Sequence, residues 1–422
     1  MRILLHGINF SPELTGIGKY TGEMAAWLTA QGHEVRVVTA PPYYPQWSIT
    51  AGFSNVWKRE LVNLSEYSNS QSNSNEVIFT VFRCPLWIPK KLSGLKRLVH
   101  LASFAISSFP AMFAQIFWRP DVVWVVEPPF FCAPQAWMVA RLSGAKVWLH
   151  IQDFEIDAAF DLGLLKGKTL RRFVAGCESW LMRRFDRVST ISLRMLERVL
   201  AKGVLAESAL LFPNWVDIQA ITQMPAGVTK DFRAELGIAA NAVVALYSGN
   251  MGAKQGLELL AQAAEMLADN PNIVFVFCGN GAGRESLMSQ CQQLENVRFL
   301  ELQPLEYLGH LLSFADIHLL PQRADAADLV MPSKLTGMLA SGRPVVATAH
   351  VGTDLAEVVS GCGLVVTPEQ PDAFVAAIIR LANEPKLRSN LGLAARAYAE
   401  ANLDREGILS RFQAELIQLL EG

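Results

Sequence analysis

No two cysteines in this chain stand close enough in sequence to suggest a shared duty. The six, Cys84, Cys132, Cys177, Cys278, Cys291 and Cys362, form no CxxC pair and join no Cys/His cluster of zinc-ligand spacing. That removes the small zinc modules, and scattered thiols with apolar neighbours fit a reducing cytoplasm. The N-terminus, MRILLHGINFSP, has too short an apolar run for a secretory signal and reads as a first buried strand. Charge is sparse as well: Asp, Glu, Lys and Arg make up 18% of the 422 residues and nearly cancel, at −2. The balance is uneven along the chain. Residues 1–215 hold 23 Lys/Arg against 16 Asp/Glu, a net of +7, and residues 216–422 hold 14 against 23, a net of −9. A basic first half suits an anionic partner such as a phosphorylated substrate or an acidic membrane surface; scattered solubilising groups would give the same balance. No nucleic-acid partner is expected.

From Leu98 to Trp118 there is no Asp, Glu, Lys or Arg. That length can span a bilayer, but His100, Pro110, Gln115 and several serines make it a poor insert. Lys90, Lys91, Lys96 and Arg97 come just before it. Two readings stay open: an ordinary buried helix with a basic start, and a helix resting on a membrane surface.

Half of the residues are apolar and the length suggests two or three domains. Apolar strand runs (RILLHGI, EVRVVTA, VIFTVFRC, DVVWVVE, AKVWLHI, RVSTIS) alternate with helical stretches such as Gly18–Gln31. Residues 63–76, rich in Asn and Ser, read as a solvated loop or a hairpin tip. At LLFPNWVD the pattern breaks, then restarts with AVVALYSGN, IVFVFCGNG, VRFLE, IHLLPQ, RPVVATA and GLVV. The predicted fold is α/β, with two Rossmann-like domains (1–213 and 214–422) of parallel sheet facing each other across a cleft. The last helix, roughly Asp404 to Leu420, is open to packing on either domain.

Three segments carry candidate chemistry. Gly16, Gly18 and Gly22 follow the first strand and open a helix, a spacing that suits either a phosphate at a helix N-terminus or a tight turn. The second strand ends Val38-Thr39-Ala40-Pro41, without the carboxylate that a dinucleotide fold uses on a ribose. In the second half, Ser248, Gly249, Asn250 and Gly252 follow a strand, with Lys254 just before a helix, where a diphosphate would be well placed. Finally, Pro332 and Ser333 start a helix that carries Lys334 in its first turn, a poor place for a cation unless an anion compensates. Asp328 just upstream suits a sugar hydroxyl or a helix cap.

Taken together, TGIGKY, FPNWVD, YSGNMGAKQGLE, FCGNGAGRESL and MPSKLTGMLASGRPVVAT resemble family 4 glycosyltransferases of the two-Rossmann-domain (GT-B) type, over nearly the whole length. The likeness is strongest to the subgroup acting in exopolysaccharide (colanic acid) synthesis. The resemblance implies a retaining sugar transfer from a nucleotide sugar, with L-fucose from GDP-fucose suggested, to a lipid-diphosphate-linked acceptor at the inner face of the inner membrane. It implies no metal and no other cofactor. It places Gly16 and Gly18 near the donor, Asn250 where many members have arginine, and Lys254 as the phosphate-binding lysine. Ser333 with the N–H groups of Lys334 and Leu335 would cradle the diphosphate, and Gly279 and Gly281 would flank the base. The two glutamates that many members carry fall on Leu329 and Gly337, so Asp328 is a candidate in their stead.

At the end of the strand VWLHI, His150 and Asp153 are candidates to orient the acceptor, with Gln152 and Asp157 beside them and Glu127 on VVEPPFF. A histidine there is equally a satisfied core residue. A sugar-nucleotide 2-epimerase, an NAD(P)-dependent oxidoreductase and a non-catalytic sugar-nucleotide-binding subunit are the competing functions.

Overall fold

A computed structural model describes residues 1–13, 16–63, 78–90, 94–128, 130–154, 156–157, 160, 167–221, 232–252, 255–324 and 331–421. The candidates Lys254 and Asp328, and the position Leu329, lie outside them. The chain forms two compact units, Met1–Pro213 with Leu409–Gly422, and Asn214–Ile408.

Unit 1 is built on eight strands: β1 (Arg2–His6), β2 (Glu34–Thr39), β3 (Lys58–Asn63), β4 (Ile78–Arg83), β5 (Val122–Glu127), β6 (Lys146–Ile151), β7 (Arg187–Thr190) and β8 (Ala209–Leu211). Their order is β3-β4-β2-β1-β5-β6-β7-β8. All neighbours pair in parallel except β3 with β4, which are antiparallel with Asn63 opposite Ile78. β5 is buried along its whole length and β6 nearly so, which is why both read as unbroken apolar runs. The helices are α1 (Ile17–Ala30), α2 (Gly94–Ala114), α3 (Ala133–Ser143), α4 (Lys168–Met182) and α5 (Leu193–Ala201). α2 buries His100, Leu101, Phe104, Ser108 and Met112, a single stripe at helical spacing, and turns its other side outward. The 25-residue stretch Gly94–Trp118 is long and apolar enough to cross a membrane, with a mean hydropathy of 1.4 in an 18-residue window. Its buried stripe ties it to unit 1, where His100 bonds Tyr43 and the Trp87 carbonyl in the loops after β2 and β4.

Unit 2 has a sheet of six parallel strands: β9 (Val243–Ser248), β10 (Ile273–Cys278), β11 (Val297–Leu300), β12 (Ile317–Leu320), β13 (Val345–Thr348) and β14 (Gly363–Val366). Their order is β11-β10-β9-β12-β13-β14. Its helices are α6 (Leu257–Met266), α7 (Arg284–Gln290), α8 (Leu305–Phe314), α9 (Lys334–Ala340), α10 (Asp354–Cys362), α11 (Pro371–Asn383) and α12 (Pro385–Asn402). Separate apolar cores fill the two faces of the sheet. The strand order reverses between β9 and β12, so the loops leaving those two strands diverge to opposite faces and open a crevice at their C-terminal ends. In unit 1 the corresponding reversal lies between β1 and β5.

The final helix, α13 (Arg405–Glu421), puts Phe412 against two rings of unit 1: it stacks on Phe212 and meets Trp148 edge-on, with centroids at 4.7 and 4.9 Å.

Candidate functional site

In unit 2 the reversal point gathers the loop after β9, the loop after β10 and the head of α9. Gly279 and Gly281 have φ of +146° and +147°. A Cβ on Gly279 would collide with the Gly249 carbonyl, and one on Gly281 would lie 2.6 Å from the Met251 oxygen and 2.7 Å from Asn250 Oδ1. The two loops therefore touch backbone to backbone, tied by Met251 N–H to the Asn280 carbonyl and by Gly283 N–H to that of Met251. Only glycine permits this approach.

Lys334 reaches into the same place from α9. Its Nζ donates to Tyr247 Oη at 3.1 Å and sits 4.1 Å from the ring centroid. Tyr247 in turn donates to the Asn250 carbonyl at 2.6 Å. Gly249, at φ +124°, leaves room for the lysine stem, whose Cδ would lie 3.6 Å from a Cβ there. Burial pushes the Lys334 ammonium down to about 7. Among the described residues no carboxylate pairs with it. The aromatic face offsets part of the desolvation, but the group is short of counter-charge. Ser333 is exposed beside it. The N–H of Leu335 is already engaged, donating to the Pro332 carbonyl at 3.0 Å, and its side chain is buried.

Unit 1 brings together a second group. Gly16 heads α1 at φ +65°. Gly18 is buried, and a Cβ there would stand 2.6 Å from Glu13 Oε2. Glu13 lies directly against Gly18 in this loop. Its Oε1 accepts from the N–H groups of Tyr43 and Tyr44, both at 3.0 Å, and Oε2 accepts from Asn9 Nδ2 at 2.8 Å. Burial pushes this carboxyl up to about 7 against the pull of those donors and of Arg83. Arg83 is itself buried and clasps the Ser11 and Ala40 carbonyls and Glu60. The β1–α1 loop is thus stapled to the loop after β2. A proline-glutamate pair just ahead of a glycine loop was the available signal, but its partners lie about thirty residues away.

Glu127, wholly buried, ends β5; its carbonyl accepts from Gln152 N–H at 3.0 Å, which brings the ends of β5 and β6 side by side with half-buried Asp153 next in line. His150 sits differently. It lies inside the sheet, with Nδ1 at 2.9 Å from Ser189 Oγ, Nε2 at 3.0 Å from Gln152 Nε2 and its ring stacked on Trp124. Burial pushes it down to about 3, so it is neutral. Asp157, half-buried, bonds Lys202 at 3.2 Å.

With this geometry in place, comparison with known proteins decides the family. Residues 15–215 match the model of the glycosyl transferase 4-like domain, and residues 228–398 that of the glycosyl transferases group 1. An Escherichia coli (strain K12) protein named for glycosyl transfer in colanic acid biosynthesis, WcaI, is 44% identical over 98% of both chains. The chain is a family 4 glycosyltransferase. Among solved structures, sucrose-phosphate synthase from Thermosynechococcus elongatus superposes with a TM-score of 0.75 at 18% identity, covering 100% of this chain and 99% of that one. Anabaena HepE, in complex with UDP and glucose, gives 0.70 at 15%, covering 99% and 100%. These likenesses carry the GT-B fold.

Gly337, where the resemblance would place a second glutamate, is half-buried. A Cβ there would lie 3.0 Å from Leu312 and 3.7 Å from Ile221.

Proposed function

We propose that this enzyme transfers a sugar, with retention of configuration, from a nucleotide donor bound by unit 2 to a lipid-diphosphate-linked acceptor in exopolysaccharide assembly. The observation that carries the reading is Lys334: a cation desolvated at the reversal point of the sheet, with no carboxylate partner among the described residues, is prepared for an anionic ligand. A nucleoside diphosphate supplies that charge, and the ammonium stabilises it further as the glycosidic bond breaks and the diphosphate leaves. Lys254 adds a second cation on sequence grounds. Asp153 is the favoured group to orient the acceptor hydroxyl, because His150 is neutral and engaged within the core. The likeness to WcaI supports the exopolysaccharide setting, and the UDP complexes of HepE support a nucleotide-sugar donor; GDP-L-fucose is the first donor to test. The outward side of α2 supports work at the cytoplasmic face of the inner membrane.

A thermal-shift screen of GDP, UDP and ADP on wild type and Lys334→Ala tests the donor site. One nucleotide is expected to stabilise wild type, with most of that shift lost in the variant; equal shifts would remove Lys334 from the site. Turnover of a lipid-linked acceptor in clear excess of its lipid-free analogue tests the acceptor, and the anomeric coupling in the product's NMR spectrum tests retention.

A further inference from the structure

The crossovers from β4 to β5, β5 to β6 and β6 to β7 all step the same way across the sheet of unit 1. Right-handed connection then lays α2, α3 and α4 side by side on one face. α2 packs on α3, and Trp137 of α3 meets Trp180 of α4 edge-on at 6.4 Å. The outer side of this layer is apolar. Phe117, in the turn after α2, is 91% exposed, Ile106 on α2 74% and Phe173 on α4 69%; Leu142 on α3 and Leu170 and Trp180 on α4 are exposed too. On α4, Leu170, Phe173, exposed Cys177 and Trp180 recur at steps of three, four and three, which is one face of a helix.

On the three helices the exposed charges are of one sign; Glu34, exposed and accepting from Trp118 Nε1 beside Phe117, lies outside them. Glu178 is the only carboxylate in the three helices. It is fully buried and turned inward, accepting from Lys202 Nζ at 2.5 Å, while Lys202 also bonds Asp157. That buried ion pair sets the rotation of α4 and leaves its outer side free of acid. Lys96, Arg141, Arg171, Arg172 and Arg183 are exposed along the layer, and Arg184 lies over the Trp180 ring at 3.5 Å. Apolar side chains flanked by cations, with no exposed carboxylate on the helices, match the chemistry of an anionic lipid surface rather than of water.

We infer that α4 is a membrane-docking helix, lying in the headgroup plane of an anionic bilayer with Leu170, Phe173 and Trp180 in the acyl boundary, and that α2 docks on the same surface across α3. The occupant is the lipid bilayer itself, recognised by apolar insertion and by phosphate headgroups under the arginines. The inference rests on the reading of a membrane-borne acceptor and adds to it a second contact, which restricts how unit 1 lies on the membrane.

Co-sedimentation of the full chain with phosphatidylglycerol/phosphatidylcholine vesicles and with pure phosphatidylcholine vesicles tests this, using wild type, Phe173→Ser/Trp180→Ser on α4 and Ile106→Ser/Phe117→Ser on α2. All four side chains are exposed, and nucleotide thermal shifts check that the variants are folded. Wild type is expected to bind the anionic vesicles alone, and each double variant to lose at least tenfold in partitioning. Undiminished binding by the α4 variant, with loss in the α2 variant, overturns the role of α4 and leaves the membrane-borne acceptor standing. Absence of wild-type binding, alongside a retained preference for the lipid-linked acceptor in turnover, overturns docking but not the acceptor. Light scattering that shows a dimer broken by Phe173→Ser/Trp180→Ser, without vesicle binding, assigns the face to a second copy and also overturns the inference.

Discussion

Glu13, buried, and Lys334, half-buried with its ammonium shielded from water, lie near loops that follow strand ends, and both are shifted toward neutrality for the same reason, loss of water, with opposite sign. For Lys334, a bound diphosphate favours the charged form, so the ammonium titrates above about 7 in the complex. Binding then takes up a proton at pH 8, and nucleotide affinity falls as pH rises through 7, by up to about tenfold per unit. Calorimetry in buffers of different ionisation enthalpy is expected to show this uptake in wild type and not in Lys334→Ala. For Glu13, the folded carboxyl titrates at about 7 and the unfolded one near 4.5. The folded state holds the extra proton, so this group's contribution to stability is complete below 4.5 and is lost as pH rises to 7. Glu13→Gln, which mimics the protonated form, is expected to flatten the fall in Tm between pH 5 and pH 7.5. Gly18→Ala pushes a methyl into Glu13 and is expected to cost about 1–3 kcal/mol in chemical denaturation.

At the scale of elements, the loops after β9 and β10 function as one piece because glycine lets their backbones meet. Gly279→Ala both collides with the Gly249 carbonyl and strains a φ of +146°, and is expected to destabilise unit 2 by about 2–4 kcal/mol and to abolish the nucleotide thermal shift. The strands buried on both faces, β5, β6, β9 and β10, were legible in the sequence as apolar runs, and the two Rossmann-like sheets followed from their alternation with helices. β3 was not legible: KRELVN is a polar edge strand, and its place depends on pairing with β4 rather than on any pattern of its own. Lys334 could be singled out because a cation at the start of a helix conflicts with a local rule. Glu13 could not, since two of its three donors come from another loop. His150 stood out as polar at a strand end, yet burial keeps it neutral within the core, where Ser189 and Trp124, supplied by tertiary packing, and the nearby Gln152 surround it.

On the scale of the whole molecule, α13 is placed by rings that no local pattern reveals. Burial of Phe412 between Phe212 and Trp148 stabilises unit 1, and Phe412→Ala is expected to cost about 3–5 kcal/mol. The loss is expected as a lower melting temperature of unit 1, with the nucleotide shift of unit 2 kept; loss of both would mean that α13 supports the two units alike. Residues 1–213 produced without the last helix leave those rings uncovered and are expected to aggregate. The return of the chain to unit 1 also sets an order of events during synthesis. Unit 2, Asn214–Ile408, is in effect an insertion within unit 1. Its 195 residues take about 10–40 s to translate, at about 5–20 residues per second. Throughout that interval unit 1 waits with Trp148 and Phe212 uncovered, while unit 2 emerges complete. The domain that leaves the ribosome first is the one finished last, and the nascent chain needs its greatest protection from chaperones before α13 arrives.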